Sequence, residues 1–267
     1  MKKVLTVIRG AGDLASGVAH RLYKAGFQVI MTDLAQPTVI RRKVAFAEAI
    51  YEGTTQVEGI TGRLSTFETC QKVLAQGEIP VLVDPLAEII NYLKPQVVID
   101  AILAKKNIGT NINLAPVVIA LGPGFTAPED AHAVIETQRG HFLGKVIYEG
   151  SALPNTGVPG EIKGKTEERV LRAPCSGVFE SCVEIGDLVK KDQVVGEVAK
   201  MPVLSSLDGV VRGLLKSGLE VNQGLKIGDV DPRGEKTHCF TISDKARALG
   251  GAVLEAMLNL LNQKELI

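Results

Sequence analysis

Residues 4–17 constrain the fold more than any other stretch of the chain. They begin with an apolar run that predicts a buried strand, and they continue into a helical pattern. The apolar residues at helical spacing are Leu14, Ala15, Val18, Ala19 and Leu22. Between strand and helix, Gly10 and Gly12 with Ala15 fit the G-x-G-x-x-(G/A) pattern of phosphate-binding loops. Gly10 would permit the tight turn, and Gly12 would let the backbone approach a pyrophosphate at the start of the helix.

An acidic residue follows at the spacing that a ribose-binding carboxylate requires. A second apolar strand, residues 28–33, ends in Asp33, about 20 residues beyond the glycine turn. One residue opposes this interpretation, because Asp13 directly follows Gly12 and would repel phosphates. Asp13 would otherwise cap the helix, and Arg9 would offset part of its charge. Together these residues predict a Rossmann-like domain that binds a dinucleotide.

The length and charge of the chain limit its number of domains and the classes of partner that it is expected to bind. The 267 residues exceed the usual size of one core, which predicts two domains. Thirty basic residues balance thirty acidic ones without a long charge run, so neither nucleic acid nor an anionic membrane is an expected partner. The start of the sequence does not resemble a signal peptide, and no apolar run is long enough to span a membrane, which predicts a cytoplasmic protein. Four widely spaced cysteines without a C-x-x-C pattern indicate neither zinc nor disulfides.

Two adjacent arginines follow the second strand. Arg41 and Arg42 lie in the first turn of a helix predicted within residues 36–50. Paired guanidinium groups near a nucleotide site clamp phosphates well because each presents a planar fork of donors. The alternative is a solvated helix face.

Three further apolar runs predict parallel strands, each followed by polar residues or glycines. The runs are residues 79–84, 96–101 and 116–121, and they are continuous enough to be covered on both faces of a sheet. The groups that follow them are Asp84; Asp100 with Lys105, Lys106 and Asn107; and Gly122-Pro123-Gly124. Ligands of parallel sheets bind beyond the carboxyl ends of the strands, so these groups predict one pocket. Individually, such residues also cap helices or turn the chain.

Histidines and a glutamate give candidates for acid–base chemistry. If residues 132–137 form a strand, His132 and Glu136 share one face, where they could transfer protons or hold a metal. An Arg-Gly-His turn places His141 next. The spacing matches no metal signature, so no metal is expected, and a plain hydrogen-bonded pair is the alternative. The candidate catalytic residues are Asp100, Lys105, His132, Glu136 and His141.

The second half of the chain contains an internal repeat. After a linker-like stretch, residues 155–168, the segment from residue 173 to 198 aligns without gaps on residues 205–230, so that Gly177 falls on Gly209. Glycine turns and strands in each half resemble the biotinyl/lipoyl hammerhead, an all-β barrel-sandwich hybrid. In such carriers a lysine sits on the hairpin between the halves. Here the connection around Lys200 is about four residues too short, so we expect no projecting hairpin and no biotin or lipoate, and a docking or gating module instead.

The C-terminal region predicts one amphipathic helix. Ser243 would cap it, and an apolar stripe runs along one face. The pair Gly250-Gly251 costs helix stability unless something packs closely there. We expect this helix to dock on the first domain; its alternatives are the barrel or a second subunit of a homo-oligomer. The predicted domains are therefore 1–165, Rossmann-like; 166–234, barrel-sandwich hybrid; and 235–267, the C-terminal helix.

The order of motifs along the chain resembles a known family. The motifs are Ile8-Arg-Gly-Ala-Gly-Asp-Leu-Ala-Ser-Gly17, Ile40-Arg-Arg42, Val98-Ile-Asp-Ala101, Ile119-Ala-Leu-Gly-Pro-Gly-Phe125, Arg139-Gly-His141, Leu171-Arg-Ala-Pro174 and Ile242-Ser-Asp-Lys-Ala-Arg-Ala-Leu-Gly-Gly251. Together they are similar to the YqeB-type accessory proteins of selenium-dependent molybdenum hydroxylase systems. The resemblance implies a maturation role, with the hydroxylase as client, and it implies that the ligand is a pterin–nucleotide form of the molybdenum cofactor.

Three functions are therefore consistent with the sequence. The first is a maturation factor that binds a nucleotide or the molybdenum cofactor at Gly10, Gly12, Asp33, Arg41, Arg42, Asn107, Gly122 and Gly124. The second is an NAD-dependent oxidoreductase with His132 or His141 as acid–base group; Asp33 favours NAD over NADP in that case. The third is a nucleotide or redox sensor. The sequence does not separate them.

Overall fold

A computed structural model describes residues 4–267, which form six α-helices and nineteen strands. The helices are α1 Asp13–Lys24, α2 Glu48–Glu52, α3 Cys70–Ala75, α4 Ile89–Leu93, α5 Thr237–Phe240 and α6 Asp244–Gln263. Short 3-10 turns lie at Arg42–Val44, Ile112–Leu114 and Glu167–Arg169. Only α1 and α6 exceed two turns, so most of the fold is built from strands and loops.

The chain divides into two compact units with several crossings between them. The first unit contains the chain up to Pro37, residues 45–156 and residues 242–267. The second contains residues 38–44 and 157–241. Helix α6 therefore belongs to the first unit, and a short segment after β2 belongs to the second.

The first unit is built on a sheet of nine strands. Its strands, in chain order with the small strands β8 and β11, are β1 Leu5–Arg9, β2 Gln28–Asp33, β3 Thr54–Val57, β4 Ile60–Ser65, β5 Ile79–Val83, β6 Val97–Asp100, β7 Val117–Leu121, β8 Thr126–Ala127, β9 Ala133–Ile135, β10 Val146–Ile147 and β11 Gly150–Ser151. The order across the sheet is β10-β9-β7-β6-β1-β2-β5-β4-β3, and β8 pairs with β11 separately. Neighbouring strands from β9 to β4 run parallel, whereas β10 and β3 pair antiparallel at the two edges.

The apolar runs recognised in the sequence form the centre of this sheet. Strands β6 and β7 are buried along their whole length, as continuous apolar strands covered on both faces should be. Helix α1 links β1 to β2, and α6 packs along α1. The core therefore lies on both faces of the central parallel strands.

The predicted Rossmann-like domain is wrong. The sheet is mixed rather than doubly wound, because β3 pairs antiparallel with β4 on one side and β10 pairs antiparallel with β9 on the other. The chain from β6 to β7 contains a 3-10 turn in place of a crossover helix. Apolar runs predict strands, but they do not predict how the sheet edges end.

The second unit consists of two four-stranded antiparallel sheets. Its strands are β12 Val170–Arg172, β13 Gly177–Ser181, β14 Leu188–Val189, β15 Val194–Val198, β16 Met201–Leu204, β17 Gly209–Leu214, β18 Leu219–Val221 and β19 Lys226–Asp231. The sheet orders are β12-β19-β17-β14 and β16-β15-β13-β18. The internal repeat is confirmed, because β17 begins 32 residues after β13 and β19 begins 32 residues after β15. Each sheet takes strands from both halves of the repeat.

The predicted biotinyl-like barrel is nevertheless wrong, since the strands form separate antiparallel sheets. Glycine turns at a regular spacing predict strands and the internal repeat, but not how the strands assemble into sheets. The expected lack of a hairpin between the halves is wrong as well. β15 pairs with β16 through a two-residue turn, in which Ala199 and Lys200 have φ values of 47° and 69°. The expectation that the chain carries neither biotin nor lipoate stays a prediction, but it can no longer be argued from a missing hairpin.

None of the helices in residues 4–267 combines the length and apolar character that a membrane span needs. The four cysteines are unpaired thiols, with Cys70 and Cys239 buried and Cys182 exposed. In this described part of the chain, no group of three or more histidine, cysteine, aspartate or glutamate side chains is placed to hold a metal ion.

Candidate functional site

Several of the predicted site residues lie together where the parallel strands of the nine-stranded sheet end. Strands β2, β1, β6 and β7 run parallel and end within one residue of each other in register: Arg9 lies opposite Thr32 on one side and Asp100 on the other. Asp100 in turn lies opposite Ala120. The carboxyl ends therefore bring the Gly10–Gly12 loop, Asp33, Asp100 and Gly122 to the same edge, which we call the carboxyl edge.

Gly10 is a glycine because protein backbone approaches it. Its φ is +98°, and a β-carbon at this position would lie 2.8 Å from the carbonyl oxygen of Ala101. Its N–H donates to Thr32 O at 2.8 Å. The tight turn expected of Gly10 is thus present, but the close neighbour is the loop after β6.

Gly12 is the N-cap of α1 and leaves the start of the helix without a side-chain cap. Its backbone is extended, with φ −66° and ψ 178°. Asp13 is the first residue of the helix, and the N-cap position is occupied by Gly12. An uncapped helix N-terminus behind a glycine loop is suited to bind an anion through its N–H groups.

Asp33 holds this loop in place. Its Oδ2 accepts from the Ala11 N–H at 2.7 Å, and its Oδ1 accepts from the Leu34 N–H at 2.8 Å. Burial raises the pKa of the Asp33 carboxyl group, and these two hydrogen bonds offset part of that rise. Each carboxylate oxygen retains a second lone pair for another donor.

Asp100 is part of a buried network rather than an exposed group. Its Oδ2 accepts from the Thr110 hydroxyl at 2.5 Å and from Arg9 Nη1 at 3.4 Å, and its Oδ1 accepts from the Ile102 N–H. Arg9 also donates to the Thr110 hydroxyl and to Ile108 O. Arg9, Asp100 and Thr110 are all less than 5% exposed. Because the carboxylate is surrounded by donors from the protein, Asp100 stabilises the loop between β6 and β7.

The same loop contains Lys105 and Asn107. The Asn107 Oδ1 accepts from the Gly109 and Thr110 N–H groups, and its Nδ2 donates to Thr110 O and Asp130. Lys105 is exposed and has φ +65°. Asn107 therefore shapes the loop, and the ligand-binding role predicted for it stays a prediction.

Gly122 and Gly124 also contact protein rather than open space. Both have positive φ, 82° and 103°. A β-carbon at Gly122 would lie 2.8 Å from the Thr137 hydroxyl, and one at Gly124 would lie 2.7 Å from the Lys106 α-carbon. These two glycines allow the loops after β6 and β7 to pack together at the carboxyl edge.

Asp84 has the structural role that its position after a strand suggested. Its two carboxylate oxygens accept from the Glu88 and Ile89 N–H groups, both at 2.9 Å. Asp84 thus caps the start of α4.

Arg41 and Arg42 belong to the second unit. Arg41 Nη2 donates to His238 O at 2.8 Å and to Thr241 O at 3.1 Å. Arg42 Nε donates to Leu214 O at 2.9 Å. Both arginines bind backbone carbonyls of their own unit, where they fix the crossing segment to β17 and to the chain around α5.

His132 and Glu136 are not brought together. They flank β9, so about 13 Å of extended chain separates them. His132 Nδ1 accepts from the Val118 N–H, whereas the Glu136 carboxylate accepts from the Gln138 and Leu153 N–H groups. His132 lies at the opposite, amino-terminal edge of the sheet, in an open groove of about 620 Å³ that also includes Lys264. His141 is exposed and stacks edge-on against Phe142.

A further residue of the site, Lys245, was missed in the sequence. It is half-buried in the first turn of α6, and burial lowers the pKa of its ammonium group. The charge of Arg139 lowers that pKa further, while the carboxylates of Asp13, Glu136 and Asp244 oppose the shift. Its only signal in the sequence was a lysine directly after a capped helix start, within one of the motifs of the family resemblance.

An open groove lies next to Asp33, on the side away from the glycine loop. It has a volume of about 590 Å³ and is lined by residues 64–69, Leu82 and Val83. Val83 is the register partner of Asp33. The groove therefore continues the carboxyl edge beyond the glycine loop, over the ends of β4 and β5.

Comparison with known proteins gives one sequence relative. No family model matches the chain. Over 260 residues it is 56% identical to "Uncharacterized protein YqeB" of Escherichia coli K12, an alignment that covers 97% of this chain and 48% of that protein. Over this shared region the chain is similar to that protein, and it spans about half the length of that relative.

Solved structures give weak similarities. An aspartoacylase family protein from Mesorhizobium loti aligns at 10% identity and TM-score 0.27, over 86% of this chain and 85% of that chain. A succinylglutamate desuccinylase/aspartoacylase from Rhodobacter sphaeroides aligns at 13% identity and TM-score 0.27, over 85% of each chain. Similarities at this TM-score carry no argument about the activity.

Proposed function

We propose that this chain is an accessory protein of a selenium-dependent molybdenum hydroxylase system. Its first unit would bind a nucleotide, or a pterin–nucleotide form of the molybdenum cofactor, and its second unit would contact the client hydroxylase. The similarity to YqeB supports the family resemblance from which this role is inferred. The ligand is argued from the carboxyl edge of the sheet.

One observation carries the ligand proposal: the glycine loop, Asp33 and an open groove adjoin one another at that edge. The uncapped start of α1 offers N–H groups for a pyrophosphate. Asp33 lies next to the loop and retains lone pairs for a ribose hydroxyl. The groove beside Val83 has a volume of about 590 Å³, within the range of about 300–1,000 Å³ that is typical of small-molecule sites.

The oxidoreductase alternative is less well supported by the geometry. A hydride transfer at the carboxyl edge would need an acid–base group there. Of the two histidines predicted for that role, His132 lies at the other end of the strands and His141 is exposed. The Nδ1 atom of His132 also accepts a hydrogen bond from the Val118 N–H. No observation favours the sensor alternative over cofactor handling.

Calorimetry with NAD, NADP, cytidine diphosphate and isolated molybdenum cofactor tests the ligand proposal. Gly12→Val should abolish binding of whichever ligand the parent binds, because two methyl groups would occupy the position of the phosphate. The backbone of Gly12 has negative φ, a conformation that valine adopts without strain. Gly251→Ala on the exposed side of α6 is the matched control and should bind normally.

Asp33→Asn is the companion variant. It should weaken binding of a ribose-containing ligand by about 1.5–3 kcal/mol, the range for a charge-assisted hydrogen bond. It should leave inorganic pyrophosphate binding largely unchanged. If none of the four ligands binds the parent, or if Gly12→Val binds as well as the parent, the loop is only a turn between strand and helix, and the ligand proposal is wrong.

The client proposal has a separate test. The purified chain is mixed with the molybdenum hydroxylase of the same organism in its cofactor-free and loaded forms, and binding is measured by calorimetry. A maturation factor should bind the cofactor-free form more tightly. Equal or absent binding to both forms would contradict the maturation role without affecting the ligand proposal.

A further inference from the structure

We propose that Lys245 on α6 binds the phosphate groups of the ligand at the carboxyl edge. This inference rests on the proposed function, and it assigns to the site a residue from a part of the chain far from the glycine loop. It also narrows the ligand to one with a pyrophosphate or another multiply charged phosphate group.

The packing of α6 on α1 places Lys245 at this edge. A β-carbon at Gly17 of α1 would lie 2.7 Å from the Ala246 β-carbon, and one at Gly250 would lie 3.0 Å from the Arg21 β-carbon. Because Gly17 is opposite Ala246 and Arg21 is opposite Gly250, the two helices run parallel. Their N-termini therefore begin side by side, and Lys245 precedes the contact at Ala246 by one residue.

The charged groups that act on Lys245 agree with this placement. They include Asp13 at the start of α1 and Glu136 directly after β9. Both residues lie at the carboxyl ends of the parallel strands. Lys245 thus lies between the α1 start and the end of β9.

Within residues 4–267, Lys245 makes no hydrogen bond and no ion pair shorter than 4 Å. Asp244 is engaged with Arg139 through two contacts of 2.7 and 2.8 Å, and the Glu136 oxygens accept from backbone N–H groups. A half-buried ammonium group without a close partner is unfavourable for folding. A bound anion would supply the missing partner.

Charge also determines the class of ligand. Two parallel helix N-termini contribute partial positive charge at one place, but Asp13 repels an anion there. The positive charge of the Lys245 ammonium group offsets the negative charge of Asp13, so that this position attracts a phosphate. Lysine binds phosphate as a point charge on a flexible stem, which suits a position reached from a second helix.

The experiment compares three variants of the full chain. Lys245→Met removes the charge at nearly constant length, Lys245→Arg retains it, and Lys264→Met removes a lysine at the other end of α6. Dissociation constants are measured for NAD, cytidine diphosphate and inorganic pyrophosphate at low and moderate salt. The thermal unfolding of each variant is measured without ligand.

For any probe that binds the parent, Lys245→Met should weaken binding at least tenfold and reduce its dependence on salt. Lys245→Arg should recover most of the affinity, and Lys264→Met should bind like the parent. Without ligand, Lys245→Met should unfold at the same or a higher temperature, because an unpaired half-buried charge has been removed. A purely structural ion-pair role predicts the opposite shift.

Binding by Lys245→Met within twofold of the parent would overturn this inference and leave the proposed function intact. A lower unfolding temperature for Lys245→Met, with no loss of affinity after correction for folded protein, would also overturn it. If the parent binds none of these probes and none of the four ligands tested above, the ligand proposal and this inference are both wrong.

Discussion

Gly17 on α1 and Ala246 on α6 lie in direct backbone contact. A β-carbon added at Gly17 would lie 2.7 Å from the Ala246 β-carbon and 2.9 Å from its carbonyl oxygen. Gly250 continues the contact one turn further, since its β-carbon would lie 2.9 Å from Gly17 O. At Gly17, helices α1 and α6 thus approach each other more closely than a residue with a side chain would permit.

Gly17→Ala should lower the free energy of unfolding by about 1–3 kcal/mol, the range for overpacking a close contact. Gly251→Ala should raise it by up to about 1 kcal/mol, because nothing lies near its β-carbon position and alanine favours a helix. Denaturant unfolding of both variants measures this contrast. Equal effects from the two substitutions would show that the helices do not pack at Gly17.

The glycines show what the sequence could predict and what it could not. The pair Gly250-Gly251 indicated a close contact in α6, but only the structure shows that Gly250 makes the contact and Gly251 is exposed. The pattern of Gly10 predicted a tight turn correctly. It could not show that the neighbour at 2.8 Å is Ala101, 91 residues away, because packing partners depend on the whole topology.

The same limit explains the errors in fold class. Buried runs such as β6 and β7 are long and apolar, so they could be recognised. The edge pair β3 and β4 is short and half-exposed, with Gly59 between the two strands, so no apolar run marks it in the sequence. Lys245 was missed because a single lysine gains meaning only from the carboxylates that the fold brings near it.

The buried carboxylate Asp231 gives the second unit a predicted dependence on acid. Burial alone would raise its pKa, but hydrogen bonds and charge from Arg233, with a further contribution from Arg212, hold the pKa of Asp231 at about 2. A folded-state pKa below the unfolded value contributes stability that is fully present above about pH 4. This stability, on the order of 2 kcal/mol, should be lost as the pH falls from 4 towards 2.

Asp231→Asn isolates this effect. At pH 7 the variant should be less stable than the parent, because Arg212 and Arg233 lose their carboxylate partner. Chemical unfolding followed at a series of pH values should show the difference shrinking below pH 4. A difference that stays constant down to pH 2 would contradict the low pKa.

The cysteines should react as four separate thiols. Cys182 is exposed and should be modified first in the native protein. Cys70 and Cys239 are buried, and burial raises the pKa of both thiols, so they should react last. Thiol titration with mass mapping of the modified peptides measures this order. Fewer than four thiols in the denatured, unreduced protein would indicate a disulfide, such as one between Cys175 and Cys182.

His132 should remain neutral in the folded protein at neutral pH. Its Nδ1 accepts from the Val118 N–H at 3.0 Å, which requires that nitrogen to be unprotonated. Burial lowers the pKa of His132 below 6.5, and the positive charge of Lys264 lowers it further. We therefore expect the NMR titration midpoint of the His132 ring to lie below 6.5, and Lys264→Met to raise that midpoint.

The stability of the first unit should follow this titration. Because the folded-state pKa lies below the unfolded one, the unfolded state binds the proton first, and stability falls as the pH drops below about 6.5. His132→Gln keeps an acceptor for the Val118 N–H but cannot titrate, so its stability should depend less on pH between 6.5 and 5. If the parent and the variant have the same slope in this range, His132 is not held neutral by its position between β7 and β9.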